Sequence, residues 1–382
     1  MNRTILFLWL AAFLLQGCVE PYTPDIRQSQ ESLVVEGLLT DQPGIQTIYL
    51  SRSSPYSDPG FIPERDCLVR VVDENGNSYL FYDQGEGVYQ RFMMASQLVR
   101  GTAYKLSILT TEGKEYESNY EILPFPCPLI DSVYFETETV GTFDPEQPLE
   151  GIQFYIDLDA EEDQARNYRW ELVETWEYYA AHIITDYYDG ELHKMDDPFK
   201  YHHCWYTGRI SNIYTSSTKH SVSNRINRYP LYFVSNQTNR LKIRYSLLVK
   251  QFSLSDEAYQ YWDQMRRQHQ ESGGLYETQP AQIRGNVYNI NDPEELVLGF
   301  FNVASSLDKR IFVDAQSELG FPPIDCTLDT IYNMYEIPPP VYYPVYMRSL
   351  NPMGGPPYGV GRGICFDCTT EGGSTVKPDF WE

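Results

Sequence analysis

The chain has 382 residues, 42% of them hydrophobic and 15% aromatic, a composition able to bury a core and unlike that of a disordered chain. Its 53 Asp and Glu outweigh 29 Lys and Arg, and the formal charge of −24 repels phosphate backbones and anionic headgroups. Nucleic-acid binding and charge-driven adhesion to lipid are therefore not expected, and the length suggests two domains.

Residues 1–17 read as a signal peptide. A single charge at Arg3 precedes an apolar run from Ile5 to Leu15, too short for the roughly 20 apolar residues that a spanning helix needs. Leu15-Gln16-Gly17-Cys18 then reads as a lipobox, in which small Gly17 lets the peptidase close on the bond and the Cys18 thiol takes a diacylglycerol. An ordinary signal peptide with a cysteine there by chance is the alternative. Acyl chains contribute about 0.8 kcal/mol per buried methylene, so more than one chain holds a protein on a membrane that it does not span. No later apolar run is long enough to cross a bilayer, and the rest of the chain is expected on the aqueous side. Position 19 is Val rather than the Asp that retains bacterial lipoproteins at the inner membrane, so the outer membrane is the expected location. Glu20 and Asp25, in the tether of residues 18–30, are similar to the acidic export signals of some surface lipoproteins.

Residues 31–122 read as an immunoglobulin-like β-sandwich. Leu33 to Leu39 and Gln46 to Leu50 alternate as strands, separated by the turn residues Asp41-Gln42-Pro43-Gly44. Cys67 to Asp73 and Ser78 to Tyr82 flank Glu74-Asn75-Gly76-Asn77, and Asn-Gly between apolar runs is a strong hairpin signal. Further strands fit Gly87 to Phe92, Ala103 to Thr110 and Lys114 to Ser118. Short strands at this spacing, without helical periodicity, point to a sandwich. Residues 123–130 read as a rigid extended linker, because Pro124, Pro126 and Pro128 forbid both helix and central strand.

Residues 131–382 read as a second β-rich domain. Strand patterns cover Ser132 to Glu136, Ile152 to Leu158, Tyr168 to Trp176 and Leu241 to Phe252. One amphipathic helix is expected near 255–270: Ser253 or Ser255 can cap it, Asp256 and Glu257 suit its positive end, and Gly273-Gly274 stops it. Ala258, Tyr261, Trp262 and Met265 form its apolar stripe, which reads as core packing rather than a binding face. Leu296 to Ala304 and Arg310 to Asp314 look like a hairpin turning through Ser305-Ser306-Leu307-Asp308. Ile337 to Tyr358 is rich in proline and reads as an extended surface excursion.

With Cys18 lipidated, Cys67, Cys127, Cys204, Cys326, Cys365 and Cys368 remain, an even set that favours disulfides in an oxidising compartment with the pairing left open. Cys365-Phe366-Asp367-Cys368 also fits half of a zinc site or a redox pair. No second well-spaced pair exists for zinc, and the flanking Pro and Gly do not suit a thioredoxin-like strand and helix, so structural disulfides are expected. His182, His193, His202 and His203 cluster beside Cys204 without any metal-ligand spacing, and His202 and His203 would face opposite ways on a strand. No metal and no cofactor is expected. Trp176, Tyr178, Tyr179, Tyr187, Tyr188, Tyr201, Trp205 and Tyr206 crowd one segment with Asp186, Asp189, Asp196 and Asp197 interleaved. They could form a platform that stacks on sugar rings or grips a peptide, or simply fill and cover a sandwich. Acidic pairs such as Glu161-Glu162-Asp163 would serve a glycosidase only if opposed across a cleft. Nucleophile-elbow, phosphate-loop and dinucleotide motifs are absent.

Taken together, the chain resembles the domain-of-unknown-function family numbered 4249. The resemblance rests on Leu33-Val34-Val35-Glu36-Gly37 with Thr40-Asp41 and Gly44, Leu50-Ser51-Arg52-Ser53, and Gly113-Lys114 with Tyr116-Glu117-Ser118. It continues in Arg244 to Gln251, Ala258-Tyr259, Pro280, Gly285-Asn286 and Val297 to Phe301. The end of the chain, Cys365 to Cys368, Gly372-Gly373 and Lys377 to Trp381, looks like the family's terminal signature. Cys67 and Cys127 lie outside these stretches, and a bridge between linker and first domain is a feature this chain could own. The resemblance implies surface lipoproteins encoded near TonB-dependent outer-membrane transporters, hence an accessory role in capture or uptake, and supplies no catalytic or ligand residue.

The expected function is thus that of a non-enzymatic outer-membrane lipoprotein, exposed at the cell surface, that helps a TonB-dependent transporter bind a ligand or partner. An envelope hydrolase acting on glycan or peptide, and a purely structural envelope component, are the alternatives. If Cys18 carries the lipid, Cys18→Ser will lose incorporation of an alkyne-palmitate label and move from the membrane to the soluble fraction; a labelled, membrane-bound variant would refute the assignment.

Overall fold

The structure, a computed structural model, describes residues 31–54, 59–142, 148–271, 283–339 and 341–381. The expected signal peptide, Cys18, the rest of the tether and the Gly273-Gly274 helix stop lie outside the described residues.

The fold is mainly β, as expected. The first strands are β1 (Leu33–Thr40), β2 (Gly44–Arg52), β3 (Ile62–Pro63), β4 (Leu68–Asp73), β5 (Ser78–Asp83), β6 (Val88–Met93), β7 (Ala103–Leu109), β8 (Glu115–Ser118) and β9 (Glu121–Ile122). Their alternation places Leu33, Val35, Leu50, Val71, Tyr89, Leu106 and Tyr116 in one shared core, with the residues between them turned outward. The arrangement is consistent with the sandwich read from the sequence. Between β4 and β5 the Asn75-Gly76 turn forms as expected, with Gly76 at φ +85° and the Asp73 carboxylate accepting from the backbone N–H of Asn75 and Asn77.

The following strands are β10 (Ser132–Val140), β11 (Leu149–Asp159), β12 (Asn167–Tyr179), β13 (Asp186–Tyr188), β14 (Leu192–Lys194), β15 (His203–Ser217), β16 (Arg225–Ser235) and β17 (Arg244–Ser253). The helix α1 (Asp256–Glu271) comes next, then β18 (Val287–Asn289), β19 (Val297–Asp314), β20 (Asp329–Ile331), β21 (Val345–Ser349) and β22 (Tyr358–Val360). A sheet of β10, β11 and β16 shares a second core with β12, β17 and the far half of β19, built on Phe154, Trp170, Leu172, Tyr245 and Leu247. Ser255 caps α1, its Oγ accepting from the Ala258 N–H at 3.1 Å. Ala258 and Tyr261 are buried against Phe300 and Ala304, with Trp262 and Met265 alongside, so the stripe packs as core.

One long path orders the main sheet β15-β12-β17-β19-β1-β2-β6-β5-β4-β7-β8-β18. Its middle overturns the expected hairpin at 296–314. That segment is a single strand of 18 residues. Val297 to Ala304 pairs parallel with β1, and Ser305 to Asp314 then pairs antiparallel with β17. The residues taken for a turn are the crossing point: Ser305 Oγ donates to Asp41 Oδ2 at 2.6 Å, and the Ser306 N–H donates to Asp41 Oδ1 at 3.0 Å. Small hydroxyl side chains belong there because the site is buried and the strand must leave one core for another. At the near end Gly299 has φ +89°, and a Cβ on it would lie 1.9 Å from the Val35 carbonyl oxygen, so only glycine lets β1 and β19 approach.

Residues 31–122 do not close the first core by themselves. Val287, Val297, Phe301 and Val303 join it from beyond the linker, and β18 pairs with β8. The linker is docked rather than free: the Cys127 N–H donates to Ser305 Oγ, and Gln251 Nε2 donates to the Pro128 carbonyl at 2.8 Å. The proline-rich stretch 337–358 is also corrected, because it is not only a surface excursion. β21 and β22 lie in a five-stranded sheet with β13, β14 and β20, and Met347 and Tyr358 are buried. Its prolines fall before or between these strands, where no ladder N–H is lost.

Asp41→Ala would leave the buried Ser305 hydroxyl and Ser306 N–H without their acceptor. A loss of about 1–3 kcal/mol is expected, read as a lower urea midpoint with an unchanged m-value; an unmoved midpoint would mean that the crossing holds without Asp41.

Candidate functional site

β12 and β15 pair antiparallel and carry three of the expected aromatics, Trp176, Tyr178 and Tyr206, on the face toward the end of the chain, while Tyr179 stacks on His203 at the strand end. Trp176 and Tyr206 are register partners and stack at 4.3 Å with 26° between their planes. With Tyr178 and Tyr179 they line a cleft of about 720 Å³ whose other walls come from Ile243, Ile324 and Ile364. Arg240 lies 5.8 Å from the Trp176 ring, with its Nη1 donating to the buried Glu174 at 2.9 Å and to the Tyr232 hydroxyl oxygen. Tyr245 donates to the same carboxylate at 2.9 Å, so this pair is held inside the fold rather than offered to the cleft. The Tyr178 hydroxyl donates to the Cys368 carbonyl, and burial pushes its pKa up to about 12, keeping it a donor at neutral pH.

The other aromatics are not brought to this cleft. Trp205 points to the opposite face, is 8% exposed, and packs on His203 at 4.1 Å. Tyr187 and Tyr188 belong to β13, where Tyr187 stacks on His193 at 5.0 Å and Tyr188 meets Tyr343. Tyr201 meets Tyr346, and Tyr187 and Tyr201 line a separate hollow of about 330 Å³ with Lys194 and Asp196. Strand alternation sends neighbouring side chains to opposite faces, so a run of aromatics in sequence divides in space.

Two disulfides frame the larger cleft. Cys204 on β15 joins Cys368, and Cys326 joins Cys365, so the two cysteines of the terminal Cys-x-x-Cys each bind a distant partner and not one another. Cys67 and Cys127 are free and buried, which removes the bridge considered between linker and first domain. They sit in different surroundings, Cys67 beside Tyr89 and Cys127 against Gln251. Burial pushes the Cys67 thiol up to about 11 and the Cys127 thiol up to about 12, so both stay protonated at neutral pH.

The histidines scatter over separate contacts. His182 Nε2 lies 2.8 Å from the Cys326 carbonyl oxygen, His193 faces Asp189, His202 meets Tyr179 and Phe199, and His203 pairs with Glu177 at 2.7 Å. Among the described residues, no group of three His, Cys, Asp or Glu side chains is arranged to hold a metal ion. The acidic run Glu161 to Asp163 is exposed, and Glu162 pairs with Arg166.

A second cleft, of about 480 Å³, was not legible in the sequence. It lies on the main sheet beside α1 and takes its lining from β1, β2, β12, β15, β17, α1 and β19. Arg169 and Glu171 pair there at 2.8 Å, the Arg169 guanidinium lies 3.5 Å over the Trp262 ring, and Asn302 reaches the wall from β19. Charged residues at alternate positions between apolar ones, Arg169 and Glu171 flanking Trp170 on β12, were the available signal.

Against known proteins, a family model described as domain of unknown function (DUF4249) matches residues 19–310. The chain belongs to the DUF4249 family. This is the family that its β1, β8, β17 and β19 sequences resemble. The DUF4249 match includes the Asp41 crossing, the second cleft and the β12–β15 side of the aromatic cleft; Cys326, Cys365 and Cys368 follow it. No curated protein matches the chain. Among solved structures, trypsin-activated alpha-2-macroglobulin from Escherichia coli aligns over 83% of this chain and 17% of its own, at 9% identity and a TM-score of 0.18. The chain thus spans about a sixth of that structure, and the likeness carries no argument.

Cys204→Ser combined with Cys368→Ser would release a link across 164 residues of sequence. Cross-links of this kind contribute about 2–4 kcal/mol, and the double variant should unfold at lower urea than the parent by that amount; equal midpoints would deny the bridge a structural role.

Proposed function

We propose that this DUF4249 protein is a non-enzymatic lipoprotein of the outer membrane, facing the cell surface through the anchor at Cys18, which captures a ligand in the aromatic cleft for a TonB-dependent transporter. The observation that supports the reading is the cleft walled by Trp176, Tyr178, Tyr179 and Tyr206 and framed by two disulfides. Tyr and Trp give large contact area at low entropic cost, and their faces suit a sugar ring or the side chains of a peptide. The cleft's size lies within the range of about 300–1,000 Å³ usual for ligand sites. Among its described lining residues Glu371 is the one carboxylate, whereas a glycan hydrolase of the two-carboxylate kind needs an opposed pair. The absence of catalytic motifs in the sequence favours the same side.

The test has two arms. Purification of the lipidated protein from detergent-solubilised outer membranes should enrich a TonB-dependent transporter, and recovery of the chain alone would reject the partner. Titration with oligosaccharides and peptides, followed by tryptophan fluorescence, should show a response that Trp176→Ala weakens on the order of tenfold. Binding unaffected by that change, or hydrolysis of the titrant, would reject the cleft as a capture site.

A further inference from the structure

The polar cleft beside α1 is separate from the aromatic cleft and holds a buried side chain that, among the described residues, has both of its polar atoms unpartnered. Asn302 is 1% exposed, yet neither its Oδ1 nor its Nδ2 has a hydrogen-bond partner. It sits on β19 opposite Leu38 of β1, on the face that carries Phe300, and it lines the cleft. Buried amides in folded proteins are almost always paired, and one left with both ends open is a standing cost that a leucine of similar size would not carry. Trp262 Nε1 is likewise buried without a partner and belongs to the same wall. Two independent side chains of one wall thus hold an acceptor and donors that no described group meets.

The charges around them narrow what fills it. Arg169 is committed to Glu171. Glu36, Arg209 and Lys250 line the cleft and form no ion pair among the described residues, and Asp308 stands beside Lys250 across the β17–β19 ladder. The wall therefore offers carboxylates and cations together, a poor match for a neutral sugar or for a simple anion. An amide reader between charges of both signs matches a molecule that has its own amide and a charge of each sign at its ends.

We infer that this cleft binds a short peptide with free termini. Asn302 pairs with a main-chain amide, its Nδ2 donating to the peptide carbonyl and its Oδ1 accepting from the peptide N–H. Trp262 Nε1 donates to a further carbonyl. The carboxylates Glu36 and Asp308 and the cations Lys250 and Arg209 on the wall supply partners for its two charged ends. The site does not depend on the aromatic cleft, so either can fail without the other.

The probe is a mixture of random tripeptides presented to the full-length protein in detergent, with retained species identified by mass spectrometry and their affinities measured by calorimetry. Free tripeptides should be retained, and the same mixture acetylated and amidated at its ends should bind at least tenfold more weakly. Asn302→Leu should weaken the free peptides at least tenfold while raising the melting temperature, which separates loss of the site from loss of the fold. Lys250→Gln, on the cleft wall, should weaken peptides with a free carboxylate and leave amidated ones unchanged. Trp176→Ala should change none of these values. No retention of free tripeptides, equal binding by Asn302→Leu, or Asn302-dependent binding of maltotriose in their place would overturn the proposal.

Discussion

The architecture depends on a single buried carboxylate. Asp41 holds the point where β19 leaves the first core and enters the second, accepting from the Ser305 hydroxyl and the Ser306 N–H while Arg100 approaches its Oδ2 at 3.1 Å. The surrounding contacts converge on the same crossing. Gln42 donates to the Ser306 carbonyl, Ser253 to the Ser305 carbonyl, and the linker enters through the Cys127 N–H. Ser253, Ser305 and Ser306 are hidden from water, so their polar groups need these partners, and together the contacts fix the two cores relative to one another. The continuous sheet that results is also the wall on which the polar cleft is built.

Much of the fold could be read locally. Asn75-Gly76 announced its hairpin, Ser255 and the stripe from Ala258 to Met265 announced the helix, and strand alternation placed β1, β2 and β4 to within a residue or two. What could not be read was long-range. The parallel pairing of β1 with β19 joins residues some 264 apart, and nothing in Leu33 to Leu39 says which strand it will meet. Ser305-Ser306-Leu307-Asp308 has the composition of a turn because buried crossings and exposed turns both favour small polar side chains, for opposite reasons. Prolines at 338–357 suggested an excursion, yet they punctuate β21 and β22 and do not interrupt them.

The sites follow the same division. Eight aromatics adjacent in sequence suggested one platform, but period-two alternation and the turn after Tyr179 divide it, leaving Trp176, Tyr178, Tyr179 and Tyr206 together. Cysteine pairing was likewise a matter of topology: Cys365 and Cys368 are close in sequence, yet each is bonded to a cysteine far along the chain, Cys326 and Cys204. The disulfides tie the turns that carry Cys365 and Cys368 to the segment at 326 and to β15, beside the small C-terminal sheet whose own core is Ile331, Met347, Tyr358 and Val360. The larger N-terminal core keeps Cys67 as a thiol and has no bridge.

The position of β1 also has a mechanical meaning. It is the first strand after the segment proposed to carry the lipid, and both its ladders run along its length, eight residue pairs with β19 and six with β2. A pull on the chain before Leu33 acts along the strand axis, across hydrogen bonds that stand perpendicular or slanted to it. Such bonds bear load in shear and yield together, whereas a strand lifted sideways opens one pair at a time. A molecule held by its N-terminus against drag, or tugged by a moving partner, thus meets the force where its hydrogen bonds act in parallel.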